Sequence, residues 1–456
     1  MDASFALSHN VASLRFEDIP SDVVKVAKMD VLDTLGTALA ATTLAPGCRE
    51  VVDLVMEGAG KAESTILGFG GKVPSWMAAL ANGTLAHALE YDECHLTAQI
   101  HSGVTVLPAA FAVAERVGKV NGKQFLTAVV AGIDLGCRLS VAAPRVRSWH
   151  PTTVYGFFGA AAAAGKIIGL NETGIQNALG IAYSQAAGNT QASTDGSLTK
   201  RVQAGFASKG GVLSALLAQK GITGATNSLE GEFGLFKVYH QGKYDPAALT
   251  ADLGKKFEVS NLSFKPYPSP RGTHASIDAT LELVKEHNIL PSDIESITVF
   301  KSQVGVKVLS EPIERKRNPE NVVDAQFNIP FTVATAVVKR RVGLKDFLPE
   351  ALKDPAVLEI ARKVNVQFFP EFGATNFHPG ITEIKTKSGK VYTRRVNEPY
   401  GNPDHPIPEE NLIQKFMECA SNNIKPLSAQ TLDKVVGMII KLEAVDDVSA
   451  IMRLLA

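Results

Sequence analysis

Apolar residues recur at helical spacing through the first half of this chain. In the window 75–95 they stand at Met77, Leu80, Ala81, Ala88 and Leu89, which predicts one helix across the window. Comparable patterns predict helices over 20–41, 49–57, 106–117, 122–140, 152–168, 172–187, 199–219 and 246–253. Ser21 and Asn171 stand where N-caps belong, and Pro108 where the first turn of a helix tolerates a proline. Gly83, Gly132 and Gly159 fall inside helical windows. Each costs about 1 kcal/mol against alanine there, so each predicts a close helix crossing. After Glu258 the period shortens. Alternating segments at 259–264, 294–300, 364–368, 382–386 and 390–396 predict strands, the last two joined by the turn signal Ser388-Gly389. Helical windows at 273–287 and 327–339 lie between them. Residues 398–408, dense in proline and glycine, predict a linker, and helical pattern resumes from Glu409. The expected architecture is mainly α with a smaller α+β domain: an all-helical domain over 1–260, an α+β domain over 261–402, and C-terminal helices over 403–456 that return to the first.

Composition adds bounds. At 456 residues and 45% apolar content the chain has material for two or three domains with sizeable cores. Lysine plus arginine and aspartate plus glutamate each total 46, so no overall field draws the protein to nucleic acid or to an anionic membrane. The four cysteines are scattered without a CxxC pair, and the first residues lack a signal-peptide layout. Both features point to a reducing, cytoplasmic setting. The longest apolar stretch, 155–170, is interrupted by Lys166 and is shorter than the roughly 20 residues a membrane span needs.

Chemistry concentrates in 86–101, AHALEYDECHLTAQIH. On a continuous helix His87, Tyr91 and His95 would share a face, with Asp92 close by. His101 would follow in a loop before the next helix, a suitable place for a reactive side chain. Further on, Trp149-His150-Pro151-Thr152-Thr153 and Gly196-Ser-Leu-Thr-Lys200-Arg201 precede helices, and Lys265-Pro-Tyr267-Pro-Ser-Pro-Arg271-Gly-Thr-His274 stands at the predicted domain junction. His150, Lys200 and His274 at helix starts would make a basin for carboxylates. Asn189-Thr-Gln191 is a further polar patch. A zinc site from His87, Asp92, His95 and His101 lacks the HExxH spacing. No Walker motif, Rossmann fingerprint or GxSxG elbow is present.

These motifs make the chain resemble the MmgE/PrpD family, which includes 2-methylcitrate dehydratases, cis-aconitate decarboxylases and iminodisuccinate epimerases. The resemblance runs through AHALEYDECH, HSGVTVLPAAFAVAE, WHPTTVYGFFGAAAAAGKIIGL, ALGIAYSQAAG, KRVQAGFASKGGVLSALLA and KPYPSPRGTHASIDA. It implies a large helical domain with a smaller α+β lid, an active site in the cleft between them, and a homodimer. It also implies Asp92, His101, His150, Lys200 and His274 as catalytic residues, with Thr97, Lys265, Tyr267 and Arg271 binding substrate. Neither a cofactor nor a metal is implied, and the partner is a small polycarboxylate.

Members of this family remove or add a group at a carbon beside a carboxylate, which takes a base and cations where charge develops. The histidines would supply acid–base groups, Lys200 and Arg271 fixed charge, and Asp92 would orient a histidine. The first expectation is dehydration of a 2-methylcitrate-type hydroxy acid. Epimerisation of an iminodisuccinate-like substrate ranks second, cis-aconitate-type decarboxylation third, and carboxylate binding without turnover last. Decarboxylating members carry a tyrosine where this chain has Phe331, and many relatives carry a cysteine-containing run in place of Tyr267-Pro-Ser-Pro270.

Overall fold

The computed structural model describes residues 2–144 and 148–456. It divides into two compact units, each with its own core. The first comprises Met1–Ala88, Asp92–Phe264 and Pro408–Ala456, and the second Leu89–Tyr91 with Lys265–Ile407.

The first unit is a helical assembly whose close crossings are set by glycine. A Cβ on Gly132, in helix Gly122–Ala142, would lie 2.6 Å from the Gly159 carbonyl oxygen of helix Pro151–Ile168. Likewise a Cβ on Gly83 would come 3.0 Å from the Gly205 Cα, which brings helix Ser75–Ala86 onto helix Thr199–Gln219. Gly122–Ala142 is long and apolar enough to cross a membrane, yet 94% of its apolar window is buried inside the unit, as expected of a core helix. The C-terminal segment joins this unit through a buried charge pair: Lys415, on helix Glu409–Ala420, places Nζ 2.6 Å from Asp33 Oδ1 on helix Ser21–Leu44. Asn171 caps its helix as expected, accepting from the Gly174 N–H at 2.9 Å. Ser21 does not: Pro20 takes the N-cap position and Ser21 begins the helix. Pro108 lies inside helix Gly103–Val117, beyond the first turn. An N-terminal helix, Ala3–Ser13, precedes the predicted helical windows; Asp2 caps it through the Ser4 N–H.

The second unit is built on a four-stranded sheet in the order Val364–Phe368, Ile294–Lys301, Gly380–Thr386, Val391–Val396. The first two strands are parallel and the remaining pairs antiparallel. Every second residue of Gly380–Thr386 is buried, the alternation of a sheet covered on one face. Helices Arg271–Glu286 and Ile329–Lys339 supply the covering side chains, among them Ile277, Val284, Phe331 and Val337. The strand expected at 259–264 shrinks to Leu262–Ser263 after a 3-10 turn, and it pairs with Cys94–His95 inside the first unit. The proline-rich segment expected as a linker is pinned down instead. Tyr400 donates its N–H to Asp278 Oδ2 at 2.9 Å, and Arg271 donates to the Pro399 and Tyr400 carbonyls.

Candidate active site

Helix Ser75–Ala86 stops at His87, eight residues before the sequence pattern suggested. Ala88–Glu90 turn away, with Glu90 at φ 55°, and Cys94–His95 pair antiparallel with Ser263–Leu262. The common face expected for His87, Tyr91 and His95 therefore does not form. The physical reason is tertiary: folding the chain back lets His87 meet Asp92 directly, Nδ1 to Oδ2 at 2.8 Å, with both side chains fully buried.

His101 completes the arrangement. Its Nδ1 lies 2.9 Å from the same Asp92 oxygen and 2.6 Å from the Glu93 carbonyl oxygen. A carbonyl oxygen only accepts, so this nitrogen carries the proton. In the neutral ring the basic lone pair is then on Nε2. Asp92 receives an N–H from each ring, which orients both. Of the three side chains only His101 reaches solvent, at 19% exposure against none for the others, so it is the member able to meet a substrate.

Two helix starts border this triad. His150 is the N-cap of helix Pro151–Ile168, its Nδ1 2.8 Å from Thr153 Oγ1, and its ring centroid lies 5.8 Å from that of His87. The His101 N–H donates to Thr152 Oγ1 at 3.1 Å, tying the loop to the same helix start. Lys200 is the second residue of helix Thr199–Gln219, and its charge acts on His87. Burial first, and then Lys200, lower the His87 pKa to about 4 against the opposing pull of Asp92. His87 is thus a neutral member of the site. Its value lies below the unfolded value near 6.5, so between about pH 6.5 and 4 the unfolded chain binds more protons and stability falls as pH falls. Urea unfolding at pH 7 and pH 5 should show a loss of roughly 3 kcal/mol or less that is missing in His87→Gln; equal slopes in both proteins would refute this assignment.

The ligand atoms of His87, Asp92 and His101 lie within 4.8 Å of one another, close enough to hold a metal ion. The Nδ1–H that faces the Glu93 carbonyl cannot also ligate, so His101 could meet a metal only through Nε2. His95, the fourth member of the zinc alternative, is elsewhere: Nε2 pairs with Glu258 at 2.8 Å and Nδ1 accepts from the Ala98 N–H at 3.0 Å. Thr97 is exposed in the turn between them, and no hydrogen bond ties it to the histidine group among the described residues.

The remaining expected site residues gather in the second unit, around the start of helix Arg271–Glu286. Lys265 is fully buried, and its Nζ donates to the Glu90 carbonyl at 3.1 Å with the Glu90 carboxylate at 3.9 Å. Tyr267 donates to Asp278 Oδ1 at 2.7 Å and meets the His274 ring edge-on at 5.2 Å. Arg271 Nη1 donates to His274 Nδ1 at 2.9 Å, while His274 Nε2 lies 2.9 Å from the Ser269 carbonyl. The first partner only donates and the second only accepts, which fixes a neutral Nε2–H tautomer for His274. Arg271 also donates to Asn402 Oδ1.

Comparison with known proteins finds matches over nearly the whole chain. The MmgE/PrpD N-terminal domain matches residues 6–247 and the MmgE/PrpD C-terminal domain residues 267–437. The cis-aconitate decarboxylase-like protein oryM of Aspergillus oryzae is 29% identical, over 98% of this chain and 95% of its own. A cis-aconitate decarboxylase of Aspergillus terreus is 27% identical over 98% and 95%, and that of Homo sapiens 29% over 99% and 94%. With both halves matched in order by its two domain models, the chain belongs to the MmgE/PrpD family of enzymes.

Proposed function

We propose that this protein is a cofactor-independent lyase that breaks a bond beside a carboxylate in a small polycarboxylate, and that it decarboxylates a cis-aconitate-like tricarboxylate. The observation carrying the chemistry is the Asp92-bound His101, whose Nδ1 is committed and whose Nε2 is the reactive nitrogen. The choice of reaction leans on the full-length likeness to cis-aconitate decarboxylases. In such a reaction the C–C bond to the departing carboxylate breaks and its electron pair becomes a new double bond. The pair of the old double bond then takes a proton, which the imidazolium form of His101 would supply at Nε2. Lys200 and the two helix starts would hold the remaining carboxylates, where fixed positive charge stabilises the developing negative charge.

Phe331 favours a second reading, dehydration of a 2-methylcitrate-type hydroxy acid. It is buried in the apolar core of the second unit, 6.1 Å from the Phe347 ring, and supplies no phenol at the position where decarboxylating members carry one. In that reaction Nε2 would remove a proton as hydroxide leaves.

Proton NMR on cis-aconitate, citrate, 2-methylcitrate and iminodisuccinate in heavy water separates the readings. Carbon dioxide release from cis-aconitate with one deuteron in the product is expected. An elimination product from 2-methylcitrate alone selects the dehydratase, and deuterium exchange without elimination or carbon dioxide loss selects an epimerase. No turnover of any substrate would overturn the proposal. Lys200→Met should lower kcat/KM by about 10²-fold on whichever substrate is turned over, and an unchanged value removes Lys200 from the site.

A further inference from the structure

Glu93 holds the segment that carries His101 at two points. Its backbone carbonyl accepts from His101 Nδ1–H at 2.6 Å. Its carboxylate, fully buried, accepts from the Gly103 N–H at 2.8 Å and from Ser102 Oγ at 3.4 Å. Gly103 is the first residue of helix Gly103–Val117, so the carboxylate sits where unpaired N–H groups and the helix dipole favour negative charge. Asp30 lies against the same spot: a Cβ on Gly103 would come within 2.5 and 2.6 Å of its two carboxyl oxygens. Two buried carboxyl groups at one place do not both ionise. Burial and the charges of Glu93 and Asp33 hold the Asp30 pKa well above the usual range, and it is the Glu93 carboxylate that accepts from the helix start.

We propose that Glu93 is a positioning residue of the reaction: the grip of its carboxylate on Ser102 and Gly103 keeps its own carbonyl on His101 Nδ1–H and thereby aims Nε2. The side chain bonds to the residues that follow His101 and acts through its own main chain. The proposal rests on His101 Nε2 as the reacting nitrogen, and Asp92 supplies charge that Glu93 does not replace. An amide in place of the carboxylate still accepts from Gly103, whereas alanine does not.

The test compares Glu93→Ala with Glu93→Gln in the full-length protein. In wild type the His101 Nδ1–H, shared between two acceptors, should give a slowly exchanging downfield proton resonance assignable by its loss in His101→Gln. In Glu93→Ala that resonance should move upfield or exchange away, and kcat should fall about tenfold with KM within about threefold. Glu93→Gln should restore both. A folded Glu93→Ala with wild-type resonance and kcat overturns the proposal, as does a Glu93→Gln as impaired as alanine. Should Glu93→Ala fail to fold, Glu93→Gln decides alone, because a displaced resonance in that folded protein refutes the grip. The resonance needs no substrate, so failure of this role is distinguishable from failure of the proposed activity.

Discussion

His101→Ala lowers kcat/KM on the turned-over polycarboxylate by about 10³-fold, or roughly 4 kcal/mol of barrier. The size follows from what is removed: the one member of the His87–Asp92–His101 group that reaches solvent, and the one whose tautomer the Glu93 carbonyl fixes. The loss should fall on kcat more than on KM, because an acid–base group is used as charge moves and adds little to substrate binding. Asp92→Asn provides the companion measurement. Its amide fills the same space but withdraws the charge that supports His101 and can turn a donor toward the ring, so a loss of about 10²-fold or more is expected. The two losses should combine to far less than their product, since both act through one imidazole. If His101→Ala keeps more than a tenth of wild-type kcat/KM, proton transfer belongs to another group and the site must be redrawn around His150 or His274.

Lys301→Met destabilises the second unit by roughly 3 kcal/mol at pH 9 and by distinctly less at pH 6. Lys301 is fully buried at the end of strand Ile294–Lys301, and its Nζ donates to the carbonyls of Phe377, His378 and Pro379 at 3.2, 3.2 and 2.6 Å. Methionine fills the space and leaves these carbonyls without their donor, which costs about 1–3 kcal/mol for each that water cannot reach. Against that loss stands the burial of a charge, which lowers the Lys301 pKa to about 7 from 10.5. Between those values the unfolded chain binds the proton and the folded one does not, so wild-type stability rises with pH across the window. Below about pH 7 the buried ammonium bears its full desolvation cost, and removing it offsets part of the lost hydrogen bonding. Urea unfolding followed by a probe in the second unit measures both differences. A destabilisation equal at the two pH values would show that the lysine stays charged throughout, its carbonyl partners outweighing burial. The local consequence reaches the site residues, because Phe377 packs against Gly272, where a Cβ would lie 2.3 Å from its ring, between Arg271 and the helical turn bearing His274.

Helix and strand content was legible in the sequence wherever periodicity and local stops coincided. Thr199–Gln219 begins and ends where its pattern does, and Ser388-Gly389 joins its two strands with Gly389 at φ 85°. Structure was not legible where a local pattern competes with a distant partner. Apolar spacing continued to Leu89, and no proline or glycine marked the end of helix Ser75–Ala86. Glu93 looked like one more acid in a polar run, because its use depends on Gly103 and Asp30, the latter 63 positions upstream by the difference of residue numbers. Phe331 illustrates the converse: it lies in the predicted helical window 327–339, and the structure has it on helix Ile329–Lys339 in the core of the second unit.

By itself the sequence determined the helical first half, the α+β character that follows, the family, and the short list of side chains able to do acid–base chemistry. Those properties reside in residue type and in spacings of a few positions, which hydrophobic burial reads locally. Only the tertiary structure decided that His87 belongs beside Asp92 and His101, that His95 turns to Glu258, and which nitrogen of His101 keeps its proton. Hydrogen-bond partners and buried charge are set by groups that meet only when the chain has folded, and no periodicity along it records them.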